Sequence, residues 1–174
     1  MVGFFKINGM KYEEIIEKYG TGIKQVAYSY VKDRHIAEDI TQETFLRCFT
    51  KRKTFKGKSA LHTWLYRIAI NLSKDHLKTA YRTHVTVDDN LAHTENTQAP
   101  SAEQVAMNRF KEGNLTNYIL DLPIDYREII ILYYFKEFNT REISEMLELP
   151  EGTVKSRLRR SKELLKDEVN EDER

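Results

Sequence analysis

Asn139-Thr140-Arg141-Glu142-Ile143-Ser144-Glu145-Met146-Leu147, a break at Glu148-Leu149-Pro150, and then Glu151-Gly152-Thr153-Val154-Lys155-Ser156-Arg157-Leu158-Arg159-Arg160-Ser161-Lys162-Glu163-Leu164-Leu165-Lys166 is the stretch that decides the fold. Its pattern predicts two helices. Asn139 caps the first, and Glu142 three residues later completes the reciprocal arrangement that satisfies two orphan backbone donors, worth about 1 kcal/mol. Ile143, Met146 and Leu147 form the buried stripe of that helix. In the second, a turn of about 100° per residue puts Val154, Leu158, Ser161 and Leu165 on one side and Ser156, Arg159, Arg160 and Glu163 on the other. Lys155, Arg157 and Lys162 stand at the flanks. A helix with an apolar back, a polar front and cationic shoulders suits base edges and phosphates, so the pair reads as a helix-turn-helix whose second helix enters the major groove. The competing reading is a solvated surface helix. Residues 151–166 carry six Lys or Arg against two Glu, an excess that a mixed-sign surface helix rarely has.

Working outward, charge is segregated along the chain. The 174 residues sum to a net charge of +1. Yet residues 51–82 hold nine Lys or Arg and one acid, Asp75, whereas residues 83–108 hold four acids and no Lys or Arg. Two basic blocks separated by an acidic one point to nucleic acid more clearly than the sum does. A single cysteine, Cys48, excludes an intramolecular disulfide and predicts a packing role in a reducing compartment. No metal-ligand spacing is present, and no cofactor is expected. The longest apolar run, residues 129–135, is far short of the roughly 18 residues that span a bilayer, so a soluble, cytoplasmic protein is expected and not a membrane-inserted one.

The remaining periodicity predicts an all-α chain of two small helical domains. Residues 1–10 read as a loose leader or one turn. Residues 12–31 fit an amphipathic helix weakened in the middle by Gly20 and Gly22, where a bend is expected. Asp33 starts a second helix running to about residue 52, with Glu38, Asp39, Gln42, Glu43 and Arg47 outward. Residues 51–59 read as a loop. The third helix, residues 60–81, has inward stripes of Leu61, Leu65, Ile68 and Leu72 and of Tyr66, Ile70 and Leu77. Its exposed line is Trp64, Arg67, Asn71, Lys74 and Lys78. An aromatic among cations suits a single strand, since bases stack on rings for about 1–3 kcal/mol each while cations follow the backbone. Trp64 reads equally well as core, and Arg67 as a structural partner for an acid of the second helix. Residues 83–104 read as a flexible acidic linker. Beyond it, a helix beginning near Ser101 and Gln104, a packing helix over 115–120 and a helix capped by Asp125 lead to a stretch, 129–135, apolar nearly all round and therefore central to the second domain. The acid-rich end after Lys166 is expected to fray.

Two separated segments carry a family resemblance. Ala37-Glu38-Asp39-Ile40-Thr41-Gln42-Glu43-Thr44-Phe45 and Thr63-Trp64-Leu65-Tyr66-Arg67-Ile68-Ala69-Ile70-Asn71-Leu72, with Asp75-His76-Leu77-Lys78, form the first. Leu122-Pro123-Ile124-Asp125-Tyr126-Arg127-Glu128 and Gly152-Thr153-Val154-Lys155-Ser156-Arg157-Leu158 form the second. In this order they resemble bacterial sigma factors of the extracytoplasmic-function (ECF) group over about residues 12–81 and 105–166. The resemblance implies a region 2 domain over residues 1–82 and a region 4 domain over residues 105–174. It implies core RNA polymerase bound through Asp39, Gln42 and Glu43, and a melted minus-ten strand held by Lys56, Lys58, Ser59, Trp64, Arg67, Asn71, Lys74 and Lys78. Duplex promoter DNA at the minus-thirty-five element would be read by Thr153, Lys155, Ser156, Arg157, Arg159 and Arg160. An anti-sigma partner, often a membrane protein in this family, is implied as well. Ser144 and Ser161 stand where the family more often has Ala, and Phe138-Asn139-Thr140 departs from its usual helix start. Two rival readings are a stand-alone helix-turn-helix regulator, which would bind paired half-sites as a dimer, and a recombinase, which would need a catalytic domain on a mixed sheet.

Overall fold

The computed structural model describes residues 6–55, 57, 59–87 and 114–172. Helix α1 (Tyr12–Val31), α2 (Arg34–Thr50) and α3 (Leu61–Val87) pack on one another as an N-terminal module. The C-terminal module comprises α4 (Asn114–Asp121), α5 (Ile124–Ile130) continuing as a π-helical turn (Ile131–Phe135), α6 (Thr140–Leu147) and α7 (Glu151–Asp172). The predicted linker lies outside the described residues from 88 onward, as do the helix start at Ser101 and the apolar points Val105, Met107 and Phe110.

Local chemistry explains most boundaries. The Glu14 carboxylate accepts the Lys11 N–H at 2.8 Å to open α1, and Lys32, left-handed at φ 55°, closes it with its N–H on the Tyr28 carbonyl. Asp33 Oδ1 accepts the Ile36 N–H at 2.9 Å to open α2. Thr41, Thr44 and Ser73 are buried inside helices because each hydroxyl donates to the carbonyl four residues back, at 2.7–2.8 Å. Cys48 is fully buried, and burial pushes its thiol up to about 11, which leaves almost no thiolate at neutral pH.

Several expectations are corrected. The leader is a minimal antiparallel hairpin: Lys6–Ile7 pairs with Met10–Lys11 across Asn8 and Gly9, both at positive φ, and it buries Ile7 in the core. Helix α1 does not break at its glycines. Gly22 instead permits a close approach, since a Cβ there would come within 2.2 Å of the Tyr66 hydroxyl. Tyr66 is buried and its ring packs edge-on against Phe138 at 4.9 Å, so it has little room to retreat. Gly22→Ala is therefore expected to lower stability by about 1–3 kcal/mol despite its better helix propensity. Gly22→Ala combined with Tyr66→Phe should recover part of that loss in urea denaturation; an unchanged midpoint for the single variant would refute the contact.

In α3 the small residues Ala69 and Ser73 are buried, while Ile68 and Leu72 are half-buried, and the helix runs to Val87 and not to 81. Pro123, not Asp125, precedes α5 as its N-terminal residue, with Asp125 in the first turn. Ile129, Ile130, Ile131 and Leu132 are buried as expected, but Tyr134 and Phe135 are 49% and 56% exposed. The wider π turn re-phases the chain and swings those two rings outward. The chain end does not unravel after Lys166, because α7 continues through Asp172.

The two modules share one apolar core. It joins Tyr30, Leu65, Tyr66 and Ile70 to Ile119, Leu122, Ile129, Phe138 and Met146. Helix α3 lies along α6, and α1 touches α5.

Candidate nucleic-acid and polymerase interfaces

The helix-turn-helix forms as its sequence predicts. Asn139 Oδ1 accepts the Glu142 N–H at 2.9 Å, and Glu142 Oε2 accepts the Asn139 N–H at 3.0 Å. Glu148, left-handed at φ 57°, ends α6. Both departures from the family pattern do structural work at the turn and behind the reading helix. The Ser144 hydroxyl donates to the Leu149 carbonyl at 2.5 Å, and the Ser161 hydroxyl, fully buried, reaches the Arg157 carbonyl at 2.6 Å and the Tyr126 carbonyl at 3.2 Å.

Along α7 the front is exposed at Lys155, Ser156, Arg159 and Arg160, with Thr153 half-buried beside them. The Lys155 ammonium lies 2.8 Å from Glu151, whose carboxyl is held below its ordinary range by hydrogen bonds from Lys155 and from Thr140. Arg160 pairs with Glu163 at 3.1 Å. Arg157 is different. Its guanidinium turns inward, 3.3 Å from Asp125 and 3.9 Å from Glu128, so it braces α7 against α5. Lys162 also turns back, 5.5 Å over the Tyr134 ring, and that contact raises its pKa.

On α2, Asp39 and Gln42 are exposed, and Glu43 is half-buried with its carboxylate 2.8 Å from Arg47. Leu46, 56% exposed, continues the same ridge one turn on. Sequence reasoning passed over it, although spacings of three, four and seven residues place 39, 42, 43 and 46 on one face.

On α3 the predicted strand-holding residues divide. Lys56 and Lys58 lie outside the described residues. Ser59 is half-buried, and Asn71 and Lys78 are exposed. Trp64 is half-buried, its ring 5.2 Å from that of Phe55 at the edge of the core. Arg67 does not pair with an acid of α2; its guanidinium meets Glu148, in the C-terminal module. Lys74 lies 2.9 Å from Glu128 Oε2 and 5.9 Å over the Tyr30 ring. Glu128 is 2% exposed and also accepts the Tyr30 hydroxyl, while its Oε1 has no hydrogen bond among the described residues. Burial, then the Glu128 charge, holds the Tyr30 phenol well above its usual range, so it remains a donor. His62 Nε2 sits 2.8 Å from Glu142 Oε1, and its ring stacks on Phe138 at 5.4 Å.

Residues 15–83 match the family described as Sigma-70 region 2, and residues 112–165 match Sigma-70, region 4. The chain is 33% identical over 159 residues to the ECF RNA polymerase sigma factor SigM of Bacillus subtilis, covering 90% of this chain and 94% of that protein. It belongs to the ECF sigma factors. SigW of the same organism is 32% identical over 168 residues, covering 92% of this chain and 89% of its own. The solved structure of the sigma factor RpoE of Bartonella quintana, in complex with the anti-sigma factor NepR, has the same fold. It superimposes with a TM-score of 0.73 at 21% identity over 91% of this chain and 96% of that one. The ECF protein is therefore an alternative sigma factor, an initiation factor that directs RNA polymerase to promoters, and not a stand-alone regulator. Region 2 is the N-terminal module and region 4 the helix-turn-helix module.

Proposed function

We propose that this sigma factor works in the cytoplasm without catalysing a reaction of its own, by joining three surfaces in one initiating complex. The α2 ridge of Asp39, Gln42 and Glu43, extended by Leu46, takes core polymerase. The α3 line of Trp64, Arg67, Asn71, Lys74 and Lys78, with the loop residues Lys56, Lys58 and Ser59, holds the opened minus-ten strand. Ser156, Arg159 and Arg160 meet base edges of the minus-thirty-five element, with Thr153 and Lys155 on its phosphates. Arg157 supports the reading helix from behind.

The observation that carries this reading is the front of α7: one exposed cationic face, backed by Val154, Leu158 and Ser161 in the core, on a helix fixed by a two-way cap at Asn139 and Glu142. An anti-sigma protein is the regulatory partner expected to cover these surfaces, by analogy with the NepR-bound relative. Transcription reconstituted with core polymerase and a randomised promoter pool tests the whole reading. Enrichment of one two-part promoter supports it; a polymerase indifferent to the protein, together with tight binding of the isolated chain to a palindromic duplex, refutes it.

A further inference from the structure

We infer that, in the free protein, carboxylates of region 4 occupy the places of strand phosphates on the nucleic-acid face of region 2, so that the closed chain competes with its own promoter contact. The inference rests on the reading of α3 as the strand-holding helix.

Charge direction is the first support. Among the described residues, the ion pairs between the modules are Lys32–Asp121, His62–Glu142, Arg67–Glu148 and Lys74–Glu128. In every one the nitrogen belongs to region 2 and the carboxylate to region 4. Chance packing of two mixed-sign surfaces would exchange charges both ways; a cationic groove holding a substitute for a polyanion would not.

Position is the second. His62, Arg67 and Lys74 all project from α3, and Arg67 and Lys74 belong to the line assigned to the minus-ten strand. Just before α3, a cleft brings Gly57, Ser59 and Thr63 of region 2 opposite Arg141, Glu142 and Glu145 of region 4, so acids also face the loop assigned to the displaced base. A strand following α3 therefore cannot reach these cations until region 4 withdraws.

The third support is that Glu128 ties both DNA-facing helices together. It holds Lys74 and Tyr30 from region 2, and Arg157 stands 3.9 Å away on the reading helix. Withdrawal of region 4 removes two of those partners and admits water to a carboxylate that the closed form buries. By contrast, Arg67–Glu148 is nearly half exposed on both sides, so it masks a cation while adding little to adhesion. Adhesion comes from the apolar contacts around Phe138, and masking comes from the acids. A strand then binds with an affinity reduced by the fraction of chains that are open.

Strand binding by the full chain tests this, measured by fluorescence anisotropy with a short mixed-sequence DNA strand. Asp121→Asn with Glu148→Gln removes two masking acids without touching a residue assigned to polymerase or DNA. At low ionic strength this variant should bind the strand roughly three- to tenfold more tightly than its parent. A charge-matched control, Glu137→Gln with Asp167→Asn, alters acids that do not face region 2 and should give a clearly smaller gain. Adding Arg67→Gln should cancel the part of the gain due to Glu148. Equal affinity for the masking variant and its parent, or an equal gain from the control, overturns the inference while leaving promoter-directed transcription intact. Loss of transcription already in the parent would instead remove the functional reading, and the inference with it.

Discussion

Reversing Asp39 and Glu43 together to lysine is expected to abolish co-purification of the protein with core RNA polymerase while leaving it folded. The fold has little at stake in either residue. Asp39 is exposed, and Glu43 contributes one i,i+4 pair to Arg47 at 41% and 40% side-chain exposure. Such a pair is worth about 0.3–0.5 kcal/mol, and its reversal into a like-charge pair costs a similar amount. An interface built to receive carboxylates is far less forgiving, because like charges brought together there cost several kcal/mol, and each 1.4 kcal/mol is tenfold in affinity. A loss of roughly a hundredfold or more follows, enough to empty a pull-down, while circular dichroism and the urea midpoint stay near those of the parent. Retained co-purification would take this ridge of α2 out of the polymerase interface.

The helix-turn-helix was legible because its signals are local: the Asn139–Glu142 cap, the apolar stripe and the cationic front all lie within two turns of one another. The same holds for α2, whose Asp33 cap and inward Ala37, Ile40, Phe45 and Cys48 follow directly from spacing. What escaped has specific physical causes. Asn8-Gly9 is a strong hairpin turn, but its strands are two residues long, too short for alternation to show. Gly22 weakens a helix when only propensity is weighed, and its value appears once Tyr66, far along the chain, is laid against it. Phe135 belongs to an apolar run in sequence, and only the π turn reveals that it faces out.

The site was less legible than the fold for a related reason. Each surface of α3, α5 and α6 reads alone as a solvated charged face. The partners of Arg67 and Lys74 lie 81 and 54 positions away, in the other module, and no periodicity connects them. Arg157 shows the same difficulty within one helix. At 100° per residue it falls on a flank, and whether a flank turns to phosphate or to the core depends on Asp125 and Glu128, which the helix itself does not contain.

That distinction sharpens the second large effect, since Arg160→Ala should change which promoters are chosen, whereas Arg157→Ala should chiefly loosen the domain. Arg160 pairs with Glu163 at 53% and 49% side-chain exposure, a surface contact whose loss costs well under about 1 kcal/mol of stability. Its guanidinium projects from the polar front of α7, with Ser156 one turn earlier, where a base edge would lie. A well-formed contact from arginine to a base is worth about 1–3 kcal/mol of discrimination, or roughly five- to hundredfold between the preferred base and its competitors. Sequencing the transcripts from a randomised promoter pool should therefore show the preference flattened at one or two minus-thirty-five positions, with the minus-ten preference unchanged and total output reduced less than selectivity. Arg157 sits between Asp125 and Glu128 at 26% exposure, so its removal strands carboxylates at the α5–α7 contact and should lower the melting midpoint first. If Arg160→Ala kept the parental promoter set at full selectivity, that side chain would not read bases, and the contact would have to be sought at Ser156 and Arg159.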